Sequence, residues 1–249
     1  VTLAESPEKL ITQGVDYLEG PNSRWKEFVF TVKVMIQFIR GFRKMHFLGP
    51  SVTVFGSARF KEDHPYYRLA VEIGKAFSDM GFAVMTGGGP GIMEAANKGA
   101  FENKGLSVGC TIQLPKEQAS NPYMNKSVHF EHFFIRKVLL LKYSYAFIVL
   151  PGGFGTLDEL FETLTLIQTK IIQNFPVVVM GTEYYKCIRS QIEVMVSEGT
   201  IDENDMRLVL FTDDVNEAAE HVKTYIKHKY PSKIKPSWIL GENGNQAYR

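Results

Sequence analysis

An apolar run, Tyr145-Ala146-Phe147-Ile148-Val149-Leu150, leads into Pro151-Gly152-Gly153-Phe154-Gly155-Thr156, and a helical repeat of Leu157, Leu160, Phe161, Leu164 and Ile167 leads out. Strand, glycine-rich turn and helix in this order form the repeating unit of a parallel α/β sheet. Three glycines in four positions let the backbone turn tightly and approach a ligand that a Cβ would obstruct. The turn delivers its N–H groups, and the positive end of the following helix dipole, to one spot in front of the helix. An anion, most naturally a phosphate, suits that spot. A plainer reading competes with this one. Thr156-x-x-Glu159 is also a capping box, in which Thr caps the helix and Glu reaches back to the cap N–H. A cap alone does not call for three glycines, so a ligand site is favoured.

The flanking sequence repeats the unit. Short strands are expected at 52–55, 82–85, 107–112, 177–180 and 208–211, alternating with helices at 69–80, 92–101, 133–143, 184–197 and 215–227. Such alternation predicts an α/β fold, a Rossmann-like doubly wound parallel sheet with helices on both faces. Ligands bind such sheets outside the carboxyl ends of the strands, where the strand order reverses. Glycine-rich turns follow three strands: Gly56-Ser57, Gly87-Gly88-Gly89-Pro90-Gly91, and the turn at 152–155. All three fall on the ligand edge. A general liking of strand-to-helix turns for glycine explains one of them comfortably and three poorly.

The expected organisation is an N-terminal helical extension over 1–50, a nucleotide-binding catalytic domain over 51–229 and a C-terminal tail over 230–249, with a polar loop at 115–126. Residues 24–47 read as a helix in which Trp25, Phe28, Val32, Ile36 and Ile39 alternate with Arg24, Lys26, Lys33, Arg40 and Arg43. A basic, aromatic helix can lie on a membrane or bind RNA. Packing on the main domain or on a second subunit, with the cations on its wet face, is the expectation here.

Several classes of function are disfavoured. A net charge of +1 over 249 residues gives no general pull toward nucleic acid or an acidic membrane. Lys142 interrupts the longest apolar stretch short of a membrane span. Two cysteines, Cys110 and Cys187, supply neither a disulfide framework nor zinc spacing, and a cytoplasmic setting with reduced thiols is expected. The dinucleotide fingerprint needs a third glycine at position 92 or 158, where Ile92 and Asp158 stand; Gly-Lys-Ser/Thr of a P-loop is missing. No His/Cys/carboxylate cluster has metal spacing, and His64, His129 and His132 read as surface residues in loops or at a helix start.

A second constellation is Arg136-Lys137, in the helix preceding the central strand. Arg136 lies eight residues before Ser144, so it sits roughly 12 Å above the helix end, and the strand climbs back about 20 Å. Helical side chains lean toward the N-terminus, so a long arginine can reach the rim beside Glu159. Two adjacent cations usually form a solvated face. Here Phe133, Phe134, Ile135 and 138–141 are apolar, and at least one cation needs a partner or ligand.

Taken together, these residues carry a resemblance. The stretch from Pro151 to Glu159 resembles the P-G-G-x-G-T-x-x-E signature of the Lonely Guy family, cytokinin-activating phosphoribohydrolases often mislabelled as lysine decarboxylases. Arg136-Lys137 falls where that family has its Arg-Lys pair, and Gly87-Gly88-Gly89-Pro90-Gly91-Ile92-Met93 is similar to its G-G-G-x-x-G-(L/I)-M turn. The similarity spans residues 52–227, and the N-terminal extension resembles the longer branch of the family. The resemblance implies hydrolysis of the N-glycosidic bond of a purine nucleoside 5′-monophosphate, AMP or a cytokinin riboside 5′-monophosphate, to free base and ribose 5-phosphate. It implies Arg136 and Glu159 as the catalytic pair. Substrate contacts would come from Glu117, Lys137, Gly152, Gly153, Phe154, Gly155, Thr156, Leu157 and Asp158, with Ser57, Gly88 and Gly89 from the other two turns. Phe133 stands where the family often has Met. No cofactor or metal is implied, and a homodimer or larger assembly, with its site near the subunit boundary, is. Two rivals remain: a non-catalytic nucleotide or cofactor carrier on the same fold, and an interaction module working through the helix at 24–47.

Overall fold

The computed structural model describes residues 20–112, 120–173 and 175–226. Seven strands form one sheet: β1 Ser51–Phe55, β2 Ala83–Thr86, β3 Ser107–Ile112, β4 Lys126–Phe130, β5 Ser144–Val149, β6 Val177–Val179 and β7 Val209–Phe211. Every pairing is parallel, in the order β4-β3-β2-β1-β5-β6-β7. The chain walks outward from β1 to β4, returns to β5 beside β1, and walks outward the other way. The order therefore reverses between β1 and β5, where Phe55 pairs with Val149. That reversal opens a crevice above the strand ends.

The helices are α1 Arg24–Met45, α2 Pro65–Asp79, α3 Ile92–Glu102, α4 Phe133–Tyr143, α5 Phe154–Gln168, α6 Lys186–Ser197 and α7 Val215–Ile226. The central strands are buried from end to end, as strands covered on both faces must be. Alternate residues serve opposite layers. In β5, Ala146 and Ile148 join α2, α3 and α7 through Ile73, Phe77, Ala96 and Val222. Phe147 and Val149 join the α4, α5 and α6 layer through Leu139, Leu160 and Tyr185.

The expected architecture is present, with three differences. α2 begins at Pro65, not at residue 69, because His64 caps it by accepting the Tyr66 N–H and Pro fits the first helical turn. α5 begins at Phe154, before the apolar repeat starts. The end of the expected polar loop enters an edge strand, β4, in which His129 lies. Glu117, the lead-in segment before Gly20 and the tail from 230 lie outside the described residues.

α1 packs on the main layer through Val34, Phe38 and Met45, and Gln37 exchanges hydrogen bonds with Glu131. This accounts for one apolar side of the helix. Trp25, Phe28, Met35, Ile36, Ile39 and Phe42 stay exposed. At 100° per residue they form one separate stripe, flanked by Lys33, Arg40 and Lys44. No helix among the described residues is long and apolar enough to cross a membrane.

Candidate active site at the strand-order reversal

The turn after β5 is open toward the crevice. Gly153 is the N-cap of α5, and no side chain caps the helix. Thr156 lies inside the first turn, where its N–H donates to the Gly153 carbonyl at 3.0 Å. The capping-box reading of Thr156 and Glu159 is thereby corrected: the helix starts at Phe154 with Gly153 as its cap, three residues too early for Thr156 to cap it. Among the described residues, nothing accepts the N–H groups of Gly153, Phe154 or Gly155, while that of Gly152 faces the Tyr185 hydroxyl. The glycines report the same openness. A Cβ at Gly153 or Gly155 would meet no atom within 4 Å, and neither residue has positive φ. The protein's own packing does not require glycine at these two positions, and glycine there leaves the backbone open to close approach.

Around this turn lies a cavity of about 760 Å³, lined by Gly56, Ser57, Gly87, Gly88, Gly89, Arg136, Phe133, Gly152, Gly153, Phe154, Gly155, Thr156 and Glu159, with Arg59, Met93 and Tyr184. Glu159 projects from α5 one turn beyond Gly155 and is only 5% exposed. Burial pushes its carboxyl up to about 7 from its ordinary 4.5, against the opposing pull of Lys137 and Arg136. Arg136 projects from the start of α4. Its Nε is buried without a hydrogen-bond partner among the described residues, and its guanidinium lies over the Phe133 ring, 5.0 Å from the centroid. Burial lowers its pKa, which Glu159 partly restores. The site therefore holds an uncapped helix terminus, a buried cation with hydrogen-bonding capacity to spare, and a carboxylate balanced near neutral pH.

The sequence model of the family described as "Possible lysine decarboxylase" matches residues 93–222. The cytokinin riboside 5′-monophosphate phosphoribohydrolase LOG of Oryza sativa subsp. japonica is 30% identical over 176 residues, 69% of this chain and 71% of that protein. The cytokinin riboside 5′-monophosphate phosphoribohydrolase of Rhodococcoides fascians is also 30% identical, over 70% of this chain and 89% of that one. The chain belongs to the Lonely Guy family. Among solved structures, the Moco carrier protein of Chlamydomonas reinhardtii superposes with a TM-score of 0.52 at 25% identity, covering 72% of this chain and 98% of that one.

In this Lonely Guy chain, the expected residues divide into two groups. Ser57, Gly88, Gly89, Arg136, Gly152, Gly153, Phe154, Gly155, Thr156 and Glu159 line one cavity. Lys137, Leu157 and Asp158 do not. Leu157 packs against the apolar layer. The Lys137 ammonium pairs with Asp158 at 2.9 Å and with Glu162. The reason is helical: consecutive residues point about 100° apart. Arg136 and Glu159 turn inward together, and their neighbours Lys137 and Asp158 turn away together.

Sequence reading also missed the residues that hold the second turn. Asn97 sits fully buried on α3, accepts from the Thr86 hydroxyl at 2.5 Å and donates to Ser107 at 2.7 Å. Thr86 in turn accepts the Gly88 N–H at 2.9 Å, while Asn121 donates to the carbonyls of Gly88 and Gly89. The one available signal was an asparagine on the small-residue face of α3, with Ala96, Gly99 and Ala100. No group of three or more metal-ligating side chains occurs among the described residues.

Proposed function

We propose that this protein hydrolyses the N-glycosidic bond of a purine nucleoside 5′-monophosphate, AMP or a prenylated relative, to free base and ribose 5-phosphate. The observation that carries the reading is the pairing of three unclaimed N–H groups at 153–155 with a buried carboxylate one helical turn further on. One turn, about 5.4 Å, suits a ribose ring whose 5′-phosphate sits on the helix terminus and whose C1′ faces Glu159. The relatives in rice and Rhodococcoides fascians carry the matching activity in their names.

Breaking the bond sends its electron pair to the base nitrogen and builds positive charge on C1′, as in other glycoside hydrolyses. Ionised Glu159 stabilises that charge and accepts the proton of the water that attacks C1′, while the departing base takes up a proton. Arg136 favours the ionised carboxylate and offers its free Nε–H to ribose or phosphate. Phosphate held by the turn positions C1′ against the carboxylate. Tied to Asp158 and Glu162, Lys137 acts on Glu159 at a distance through its charge.

The lysine decarboxylase label finds no lysine in the described lining of this cavity on which a pyridoxal Schiff base would form. A second reading, a cofactor carrier, is favoured by the superposition on the Moco carrier protein. A carrier has no need of a buried carboxylate held near neutrality. Glu159→Gln separates the two: base release falls about a hundredfold or more while AMP binding persists. Turnover at the wild-type rate would remove Glu159 from the chemistry. The exposed α1 stripe supports association with a second copy, for which sedimentation should give a multiple of 28.2 kDa, and a monomer would refute it. The free thiols Cys110 and Cys187 suit a cytoplasmic setting.

A further inference from the structure

Two tyrosines outside the Lonely Guy motif, Tyr184 at the cavity edge and Tyr185 in the core, brace the turn at 152–155. They close the segment between β6 and α6, and each donates a hydroxyl hydrogen bond to the turn: Tyr184 to the Gly152 carbonyl at 2.9 Å, Tyr185 to the Leu150 carbonyl at 2.8 Å. The segment is itself braced. Gly181, at φ +86°, lies so close to the Pro151 ring that a Cβ there would collide with it. Asp213, beyond β7, accepts from the N–H groups of Gly181 and Thr182 and from the Thr182 hydroxyl.

The peptide group is a rigid plane, and in the trans form its C=O and N–H point in opposite directions. No peptide here is cis. Fixing the carbonyl of one residue therefore fixes the N–H direction of the next. The Ser57 N–H holds the Pro151 carbonyl at 2.9 Å, which sets the Gly152 N–H. The Tyr184 hydroxyl holds the Gly152 carbonyl, which sets the Gly153 N–H. Glycine has the widest backbone freedom of any residue, so a plane between two glycines is the one most in need of an outside restraint. The Leu150 carbonyl precedes Pro151, which has no N–H to aim; the hydroxyl of Tyr185, 1% exposed, holds that carbonyl and meets the Gly152 N–H from within the fold, so it braces the turn without aiming an N–H at the cavity.

We infer that Tyr184 is a positioning residue for phosphate, one that orients the Gly152–Gly153 peptide so that its N–H faces the substrate's 5′-phosphate. This rests on the phosphoribohydrolase reading of the same site. Tyr184 is half-exposed, so losing its hydroxyl leaves the core intact.

The test is calorimetric titration of the full chain with AMP, ribose 5-phosphate and adenosine, alongside kcat and KM for AMP, in wild type, Tyr184→Phe and Tyr185→Phe. Tyr184→Phe should weaken AMP and ribose 5-phosphate binding about five- to tenfold, the scale of one lost hydrogen bond. KM should rise with little change in kcat, and adenosine binding and Tm should stay constant. Tyr185→Phe should lower Tm without changing the ratio of AMP to adenosine affinity. If wild type binds AMP and Tyr184→Phe binds it equally well, or weakens AMP and adenosine alike, the inference is wrong and the function stands. A wild type that binds neither AMP nor ribose 5-phosphate overturns both.

Discussion

The two long glycine-rich turns, at 87–91 and at 152–155, look alike in sequence and are built for opposite purposes. In the first, glycine answers the protein's own demands. Gly88 and Gly91 have φ of +72° and +71°, and a Cβ on either would strike Thr111 or the backbone of Ser57 and Ala58. Thr86 takes the Gly88 N–H, and Asn121 holds the carbonyls of Gly88 and Gly89. In the second, Gly153 and Gly155 have ordinary φ and open space where a Cβ would project, and among the described residues their N–H groups meet no acceptor. A glycine that the fold does not explain is better evidence for a ligand than one that it does. Both turns line the same cavity, and the second has glycines, Gly153 and Gly155, that neither φ nor packing explains.

Alanine substitutions would break this contrast if it is false. Gly91→Ala forces positive φ on a residue with a Cβ and a clash with backbone, and should cost about 2–4 kcal/mol in chemical denaturation. Gly155→Ala places a better helix former in the first turn of α5 and should leave the fold as stable as before, or more stable by up to about 1 kcal/mol. The same change should weaken AMP binding roughly tenfold or more, because the methyl group occupies ligand space. Equal destabilisation by both changes would abolish the distinction between the turns.

A smaller effect sharpens the account at Glu159. Its carboxyl is raised from 4.5 to about 7, chiefly by burial, so the folded protein holds a proton that the unfolded chain releases. Wild type should therefore lose stability as pH rises from about 4.5 to 7, with no further loss from this group above 7. Glu159→Gln lacks that loss, and its Tm advantage over wild type should grow between pH 5 and pH 8. In wild type kcat/KM should climb with pH below about 7 and level off above it, as chemistry by the ionised carboxylate requires. A gap in Tm that shrinks with pH would contradict the burial.

Much of this was legible from residue pattern. Apolar runs bounded by glycine gave the buried strands, and the three glycine turns gave the ligand edge. β4 escaped because only Val128 and Phe130 face inward, while Lys126, Ser127 and His129 are exposed, so an edge strand reads as polar loop. The inward turn of Arg136 followed from helix geometry, and the 100° helical step turns its neighbour Lys137 toward Asp158 and Glu162. The support from Tyr184, Asn97 and Asn121 could not be read, because it joins residues 10 to 32 apart through single polar contacts that leave no periodic trace.

The central claim is that phosphate on the open helix terminus aligns a glycosidic bond with Glu159. The most direct measurement is chromatographic detection of free base and ribose 5-phosphate after incubation of the purified protein with AMP, with adenosine in parallel. The account predicts adenine from AMP and none from adenosine, which lacks the anchoring group. Release from both at equal rates would contradict the phosphate anchor, and bound but unhydrolysed monophosphates would contradict the chemistry and favour the carrier.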